Sequence, residues 1–121
     1  MALILIVDDQ PTMRFLLRSI LTGAGHLTLE AEHGQAALEQ LAAHPDVALL
    51  VTDLEMPVMD GLELLQTLRP RTTLPKLIVS GCSVDPLLTE LGVSAFFGKP
   101  LELTRFKRTV LSLLTAPATP V

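Results

Sequence analysis

The stretch Val47 to Gly61, VALLVTDLEMPVMDG, limits what this chain can fold into more than any other. An apolar run, Val47 to Val51, leads through Thr52 into one carboxylate, Asp53, and the chain then breaks at Pro57 and Gly61. An unbroken apolar run of this length suits a strand buried on both faces, as in a parallel sheet. Asp53 then stands at the carboxyl end of the strand, the edge at which open α/β sheets bind ligands. A single Asp there is a common turn residue and carries no function by itself. It gains weight from VDD at Val7 to Asp9 and GKP at Gly98 to Pro100.

Those stretches recur at the ends of strands. Leu3 to Val7 is a second apolar run ending in Asp8 and Asp9. Pro11 suits the first turn of a helix, and Met13, Leu16, Leu17, Ile20 and Leu21 follow at helical spacing. Gly23 and Gly25 end that helix. Leu27 to Ala31 alternates like a strand with one wetter face, and Gly34 opens a helix that ends near His44-Pro45. After Gly61, Leu62, Leu65 and Leu68 mark a helical face that stops near Pro70. KLIVS, Lys76 to Ser80, reads as a fourth strand, and Asp85-Pro86 as the cap of a short helix ending by Gly92. Ala95 to Phe97 is a short fifth strand, and Leu103, Phe106, Val110 and Leu113 mark the last helix.

Five β-α alternations predict an α/β domain with a parallel sheet covered by helices on both faces. Of the two common doubly wound orders, the flavodoxin-like 2-1-3-4-5 sets strands one and three side by side. A (βα)5 fold of that order brings Asp8, Asp9 and Asp53 to one end of the sheet, with Ser80 after strand four and Lys99 after strand five. Residues 1–115 are expected to form this single domain and 116–121, APATPV, a frayed tail.

Composition excludes other classes. The 121 residues carry a net charge of −4, which leaves no basic stripe for direct nucleic-acid binding. With no Trp or Tyr and four Phe, the core must be aliphatic. Cys82, the single cysteine, has no internal disulfide partner, which fits a reducing compartment. MALILIVDD lacks a basic region ahead of its apolar run, so it is not a signal peptide. No apolar run is long enough to span a membrane. A cytoplasmic protein with no membrane contact is the expectation.

Three carboxylates brought together repel one another and resist ionising. A hard divalent cation such as Mg²⁺ removes the conflict, taking a few carboxylates and completing its shell with water and phosphate oxygens. A carboxylate oriented beside such a metal can act as a nucleophile toward phosphorus, where positioning and charge stabilisation do most of the work. Lys99 is placed to hold one phosphoryl oxygen and Ser80 to donate to another. Taken singly, Asp8 and Asp9 read as caps, Ser80 as a turn residue and Lys99 as solvated. All five together make the functional reading the stronger one.

At this point the chain resembles the receiver domains of two-component response regulators. VDDQPTMRFLLRSIL is similar to the opening of the family's single-domain chemotaxis members, DLEMPVMDG to its phosphorylation-site loop and FFGKP to its Lys-Pro segment. The resemblance covers nearly the whole chain. It implies that Asp53 accepts the phosphoryl group, that Asp9 binds Mg²⁺ directly and Asp8 through water or as an assisting group, and that the backbone carbonyl of Glu55 is a further ligand. It implies that Ser80 moves toward the phosphate, that Lys99 pairs with it, that the Lys99-Pro100 peptide is cis, and that Phe96 is the aromatic switch. The implied partners are a sensor histidine kinase or histidine phosphotransfer domain and a downstream protein, for a monomer or weak dimer.

Some residues depart from the family's pattern. Ser80 to Lys99 is shorter than usual by nearly one helical turn, a loss expected in the helix between the last two strands. Phe96 has no hydroxyl, so it cannot make the hydrogen bond of an inward-turned Tyr. Glu55 and Cys82 stand at variable positions that tune phosphate lifetime. Arg105, Lys107 and Arg108 read as a solvated face or a contact for an acidic partner, and His26, His33 and His44 as solvated.

Particular residues argue against other classes. A haloacid-dehalogenase-type phosphotransferase places a second Asp two residues after its nucleophile, where this chain has Glu55, and there is no room for a substrate cap. A nucleotide-binding domain needs a G-x-G-x-x-G or Walker-type loop, and neither is present. A phosphate relay or sink, passing phosphate to a histidine phosphotransfer domain, remains open beside a partner-switching role. A receiver that no longer uses phosphate is disfavoured by the intact set of five residues.

Overall fold

The structure, a computed structural model, describes residues 2–68, 74–81 and 90–115. Among them are five strands, β1 (Leu3–Val7), β2 (Leu27–Ala31), β3 (Leu49–Thr52), β4 (Lys76–Ser80) and β5 (Ala95–Gly98). The helices are α1 (Pro11–Gly23), α2 (Gly34–Ala43), α3 (Gly61–Leu68) and α4 (Leu103–Thr115). The helix expected from Asp85-Pro86, the loop at Pro70, Cys82 and the 116–121 tail lie outside the described residues.

All four strand pairings are parallel, in the order β2-β1-β3-β4-β5. This is the flavodoxin-like order, and it sets β1 beside β3. The three inner strands are apolar almost throughout because both faces are covered. Side chains alternate between two cores. Ile4, Ile6, Leu49, Val51, Leu77, Val79 and Phe97 join Leu17 and Leu21 of α1 and Phe106 and Val110 of α4. Leu5, Val7 and Leu50 face Ala37 of α2 and Leu64 and Leu68 of α3. Phe97 and Phe106 meet edge to face with centroids 5.6 Å apart, a favoured geometry for a chain with few aromatic rings.

The helices begin and end for local reasons. Pro11 occupies the first turn of α1, where its missing N–H removes nothing, and no side chain caps that helix. Asp8 and Asp9 are therefore not its caps. Leu16, expected inward, is turned outward and Leu17 takes its place. His33 caps α2 through Nδ1, which accepts from Ala36 N at 3.1 Å, and His26 Nδ1 accepts from Ala2 N at 3.3 Å. Two of the three histidines are thus structural rather than merely solvated. Asp60 caps the start of α3 by accepting from Glu63 N at 2.9 Å. β3 begins two residues later than the apolar run because Val47 N is engaged by His44 O in a turn.

Candidate functional site

β1 and β3 end at the same level, since Val7 pairs with Thr52. The next residues, Asp8 and Asp53, therefore leave the sheet side by side. Asp53 N still donates to Val7 O at 2.9 Å, and Asp8 N to Ala31 O at 3.1 Å, so both backbones are held by the ladder beyond the last strand residue. Oxygens of Asp8, Asp9 and Asp53 all lie within 4.8 Å of one another. Asp8 and Asp53 are buried, at 1% and 6% exposure, whereas Asp9 is open to solvent.

The two oxygens of Asp53 have different surroundings. Oδ1 accepts from the N–H groups of Leu54 and Glu55 at 2.6 and 3.2 Å, which orients the carboxylate. Oδ2 faces the Lys99 ammonium at 2.9 Å. Thr52 supports the turn by donating its hydroxyl to Asp53 O at 2.8 Å. Gly61, the first residue of α3, lies against this turn and donates its N–H to Leu54 O at 2.9 Å. A Cβ there would come within 2.7 Å of Leu54 Cα and closer still to the Asp53 carbonyl oxygen, so only glycine lets the helix start so near the carboxylate.

Lys99 reaches the cluster from the segment after β5. Its N–H donates to Ser80 O at 3.2 Å, and its ammonium bridges Asp53 and, at 3.3 Å, Asp8 Oδ2. Burial lowers the lysine pKa, but the Asp53 hydrogen bond and the charges of Asp8 and Asp53 outweigh it and hold the group above its ordinary value. Burial pushes the Asp8 carboxyl above the usual carboxylate range, with the Asp53 charge adding to the effect; the Gln10 N–H and Lys99 oppose it and do not cancel it. Ser80 ends β4, fully buried, next to β3. Phe96 pairs with Ile78 and lies half-buried against Leu65 and Ile78. Glu55 is exposed, and the Lys99-Pro100 peptide bond is cis. The sheet thus brings together Asp8, Asp9, Asp53, Lys99 and, one strand along, Ser80.

The raised Asp8 pKa carries a sign. An acid whose folded pKa exceeds its unfolded one subtracts stability once pH rises past the unfolded value. Asp8→Asn keeps an oxygen for the Gln10 N–H, which now bonds Asp8 Oδ1 at 2.9 Å, and removes the buried charge. Without added divalent cation at pH 7, this variant is expected to be more stable by roughly 0.5–2 kcal/mol. The gain should shrink as pH falls toward about 4 and be lost below it, where the Asp8 carboxyl is neutral in the folded and the unfolded chain alike. Thermal melts of both proteins across pH check this, and a less stable variant at pH 7 would refute it.

Two contributors were not apparent from the sequence pattern. Thr52 reads as the end of a strand, and its hydroxyl role depends on the turn. Arg14 reads as the polar face of α1, yet its Nη1 donates to Asp8 O at 2.6 Å. Its one available signal is position, since it lies in the first turn of the helix that follows the carboxylates.

Comparisons with known proteins place this geometry. The family profile described as response regulator receiver domain matches residues 4–111. The chain is 34% identical over 118 residues to chemotaxis protein CheY1 of Helicobacter pylori, covering 97% of this chain and 86% of that one. It is 48% identical over 67 residues to a chemotaxis protein CheY homologue of Campylobacter jejuni, where the match covers 54% of this chain and about half, 52%, of the relative. The crystal structure of a response regulator receiver protein from Pseudomonas putida superposes with a TM-score of 0.85 at 31% identity, covering 92% of this chain and 96% of that one. No helix among the described residues is long and apolar enough to cross a membrane. Profile, relatives and fold show the family: the chain belongs to the receiver domains of two-component response regulators, a family of signalling domains.

Proposed function

We propose that Asp53 accepts a phosphoryl group in a Mg²⁺-dependent reaction and that the phosphorylated form changes the protein's binding to a partner. One observation carries this reading: Asp53 Oδ2 lies 2.9 Å from the Lys99 ammonium, with oxygens of Asp8 and Asp9 alongside. Three carboxylates against one ammonium leave two negative charges, which one Mg²⁺ balances. The donor set is all oxygen, as Mg²⁺ prefers. Asp9, Asp53 and the backbone carbonyl of Glu55 would hold the ion, with Asp8 assisting or acting through water. When bound, Mg²⁺ neutralises the carboxylates and the charge on the phosphoryl oxygens.

The chain's own residues then divide the work. Asp53 Oδ2 forms a bond to phosphorus while the bond from phosphorus to the donor's leaving atom breaks, and the leaving group keeps that electron pair. From acetyl phosphate the product is acetate. Lys99 moves from its carboxylate contacts onto a phosphoryl oxygen, and the Ser80 hydroxyl donates to another. Phe96 rotates as Ser80 moves, further burying its ring. The phosphoryl donor in the cell is a sensor histidine kinase or a histidine phosphotransfer domain.

The test is intact-mass spectrometry after incubation with acetyl phosphate. One added phosphate is expected with Mg²⁺ and none with a chelator. No added mass with Mg²⁺, or equal labelling in chelator, would sink the proposal.

A further inference from the structure

Asp8 and Asp9 are neighbours, and in an extended chain successive side chains point to opposite faces. They share one cluster because the chain bends directly after β1. The bend centres on Asp9, and the two peptide groups flanking Asp8 lead into it. The first is fixed by Asp8 N donating to Ala31 O. The second, between Asp8 and Asp9, presents its carbonyl to Arg14, whose Nη1 donates to it at 2.6 Å. Arg14 is itself tied down, because its Nε donates to Glu30 Oε1 on β2 at 3.3 Å. The other Glu30 oxygen accepts from Arg18 at 2.7 Å. With 17% of its side chain exposed, Arg14 is the shielded member of the network, and Arg18, at 44%, is the outer support.

We infer that Arg14 is a positioning residue for the cation site. By holding the Asp8–Asp9 peptide plane it fixes the direction in which Asp9 presents its carboxylate. This rests on the proposed Mg²⁺-dependent function. Mg²⁺ demands near-octahedral geometry and tolerates little movement of its ligands. Groups that orient metal ligands typically alter affinity tenfold or more when removed. Charge alone makes the opposite demand. A guanidinium near an acidic cluster repels a cation, so its removal should tighten Mg²⁺ binding if charge were its whole effect. The sign of the change therefore separates the two roles.

The experiment is calorimetric titration of Mg²⁺ into wild type, Arg14→Met and Arg14→Lys, with thermal melts alongside. Arg14→Met keeps the apolar stem and loses the fork. It is expected to bind Mg²⁺ about tenfold more weakly. Arg14→Lys, able to reach the Asp8 carbonyl but without the fork that also engages Glu30, should recover part of that loss. At saturating Mg²⁺ the rate of phosphate incorporation by Arg14→Met should approach the wild-type rate, which a general loss of structure would not allow. Equal or tighter Mg²⁺ binding by Arg14→Met overturns the inference. If Arg14→Met does not fold, Arg14→Lys decides, since it keeps the charge and loses the fork; weaker Mg²⁺ binding supports the inference and unchanged binding overturns it. A wild type that binds no Mg²⁺ sinks this inference together with the proposed function, whereas a binding wild type with an unaffected Arg14→Met sinks this one alone.

Discussion

Asp53→Asn is expected to abolish phosphate incorporation while leaving the fold in place. The Asn amide has the same shape, and its oxygen still accepts from the Leu54 and Glu55 N–H groups that now bond Oδ1. What changes is the other atom. Oδ2, 2.9 Å from the Lys99 ammonium, becomes an NH₂ group, so a donor faces a donor and Lys99 turns toward Asp8. The amide has no anionic lone pair to offer phosphorus. Removing a nucleophile outright leaves no route to the covalent product, and a rate reduced by at least about a thousandfold is the minimum expected. Labelling with acetyl phosphate, read by intact mass, gives the answer. An Asn variant labelled as fully as wild type would show that the phosphoryl group goes elsewhere.

Lys99→Met should produce two losses that respond differently to Mg²⁺. The first is stability. Lys99 is the cation that the structure places between Asp8 and Asp53, two buried carboxylates. Breaking such a pair by removing one partner typically costs 3–5 kcal/mol when both are buried. Lys99 itself is partly exposed, and its side chain is 23% accessible, so about 1–2 kcal/mol is the expected effect after allowing for solvent screening. Mg²⁺ supplies replacement charge to the same carboxylates, so it should raise the melting temperature of Lys99→Met more than that of wild type. The second loss is rate. On the proposed function the ammonium meets a phosphoryl oxygen as charge develops, and removing one such contact typically slows the reaction about 10²–10³-fold. Mg²⁺ would not restore this, because an ion held by the carboxylates would not take the lysine's place. Melting curves and labelling rates over a Mg²⁺ series test both halves. Rescue of the rate at high Mg²⁺ would show that Lys99 acts as bulk charge and not as a placed contact.

Much of this site was legible in the chain because parallel α/β architecture translates order into position. Once Val47 to Val51 and Leu3 to Val7 are read as inner strands, the 2-1-3-4-5 order carries Asp53 and Asp8 to adjacent ends. Strands β1, β2 and β4 fall on the predicted residues, and the apolar runs within β1 and β4 suit strands covered by helices on both faces. The helix faces were less legible. Leu16 and Leu17 satisfy the same periodicity, and only the packing of α1 on the sheet chooses Leu17. The contacts of Arg14, His33 and Gly61 lie further from sequence pattern. Each depends on where a loop turns, and a turn brings together atoms from elements that no local periodicity connects. The raised Asp8 pKa likewise follows from burial beside a second carboxylate, which requires the assembled sheet.

The sheet also separates two kinds of connection. Asp8, Asp53 and Lys99 follow the carboxyl ends of strands and Ser80 ends one, so every group of the proposed reaction hangs from one rim. The opposite rim is joined by Ala24–His26 between α1 and β2 and by His44–Ala48 between α2 and β3. A chain can lengthen those connections at their exposed residues, Ala24, Gly25, Pro45 and Asp46, without moving any atom that would touch phosphorus, because added loop length costs little and surface loops tolerate change. The far rim is therefore where a graft, a reporter or a new recognition loop can be fitted while the chemistry at the near rim is left as it is.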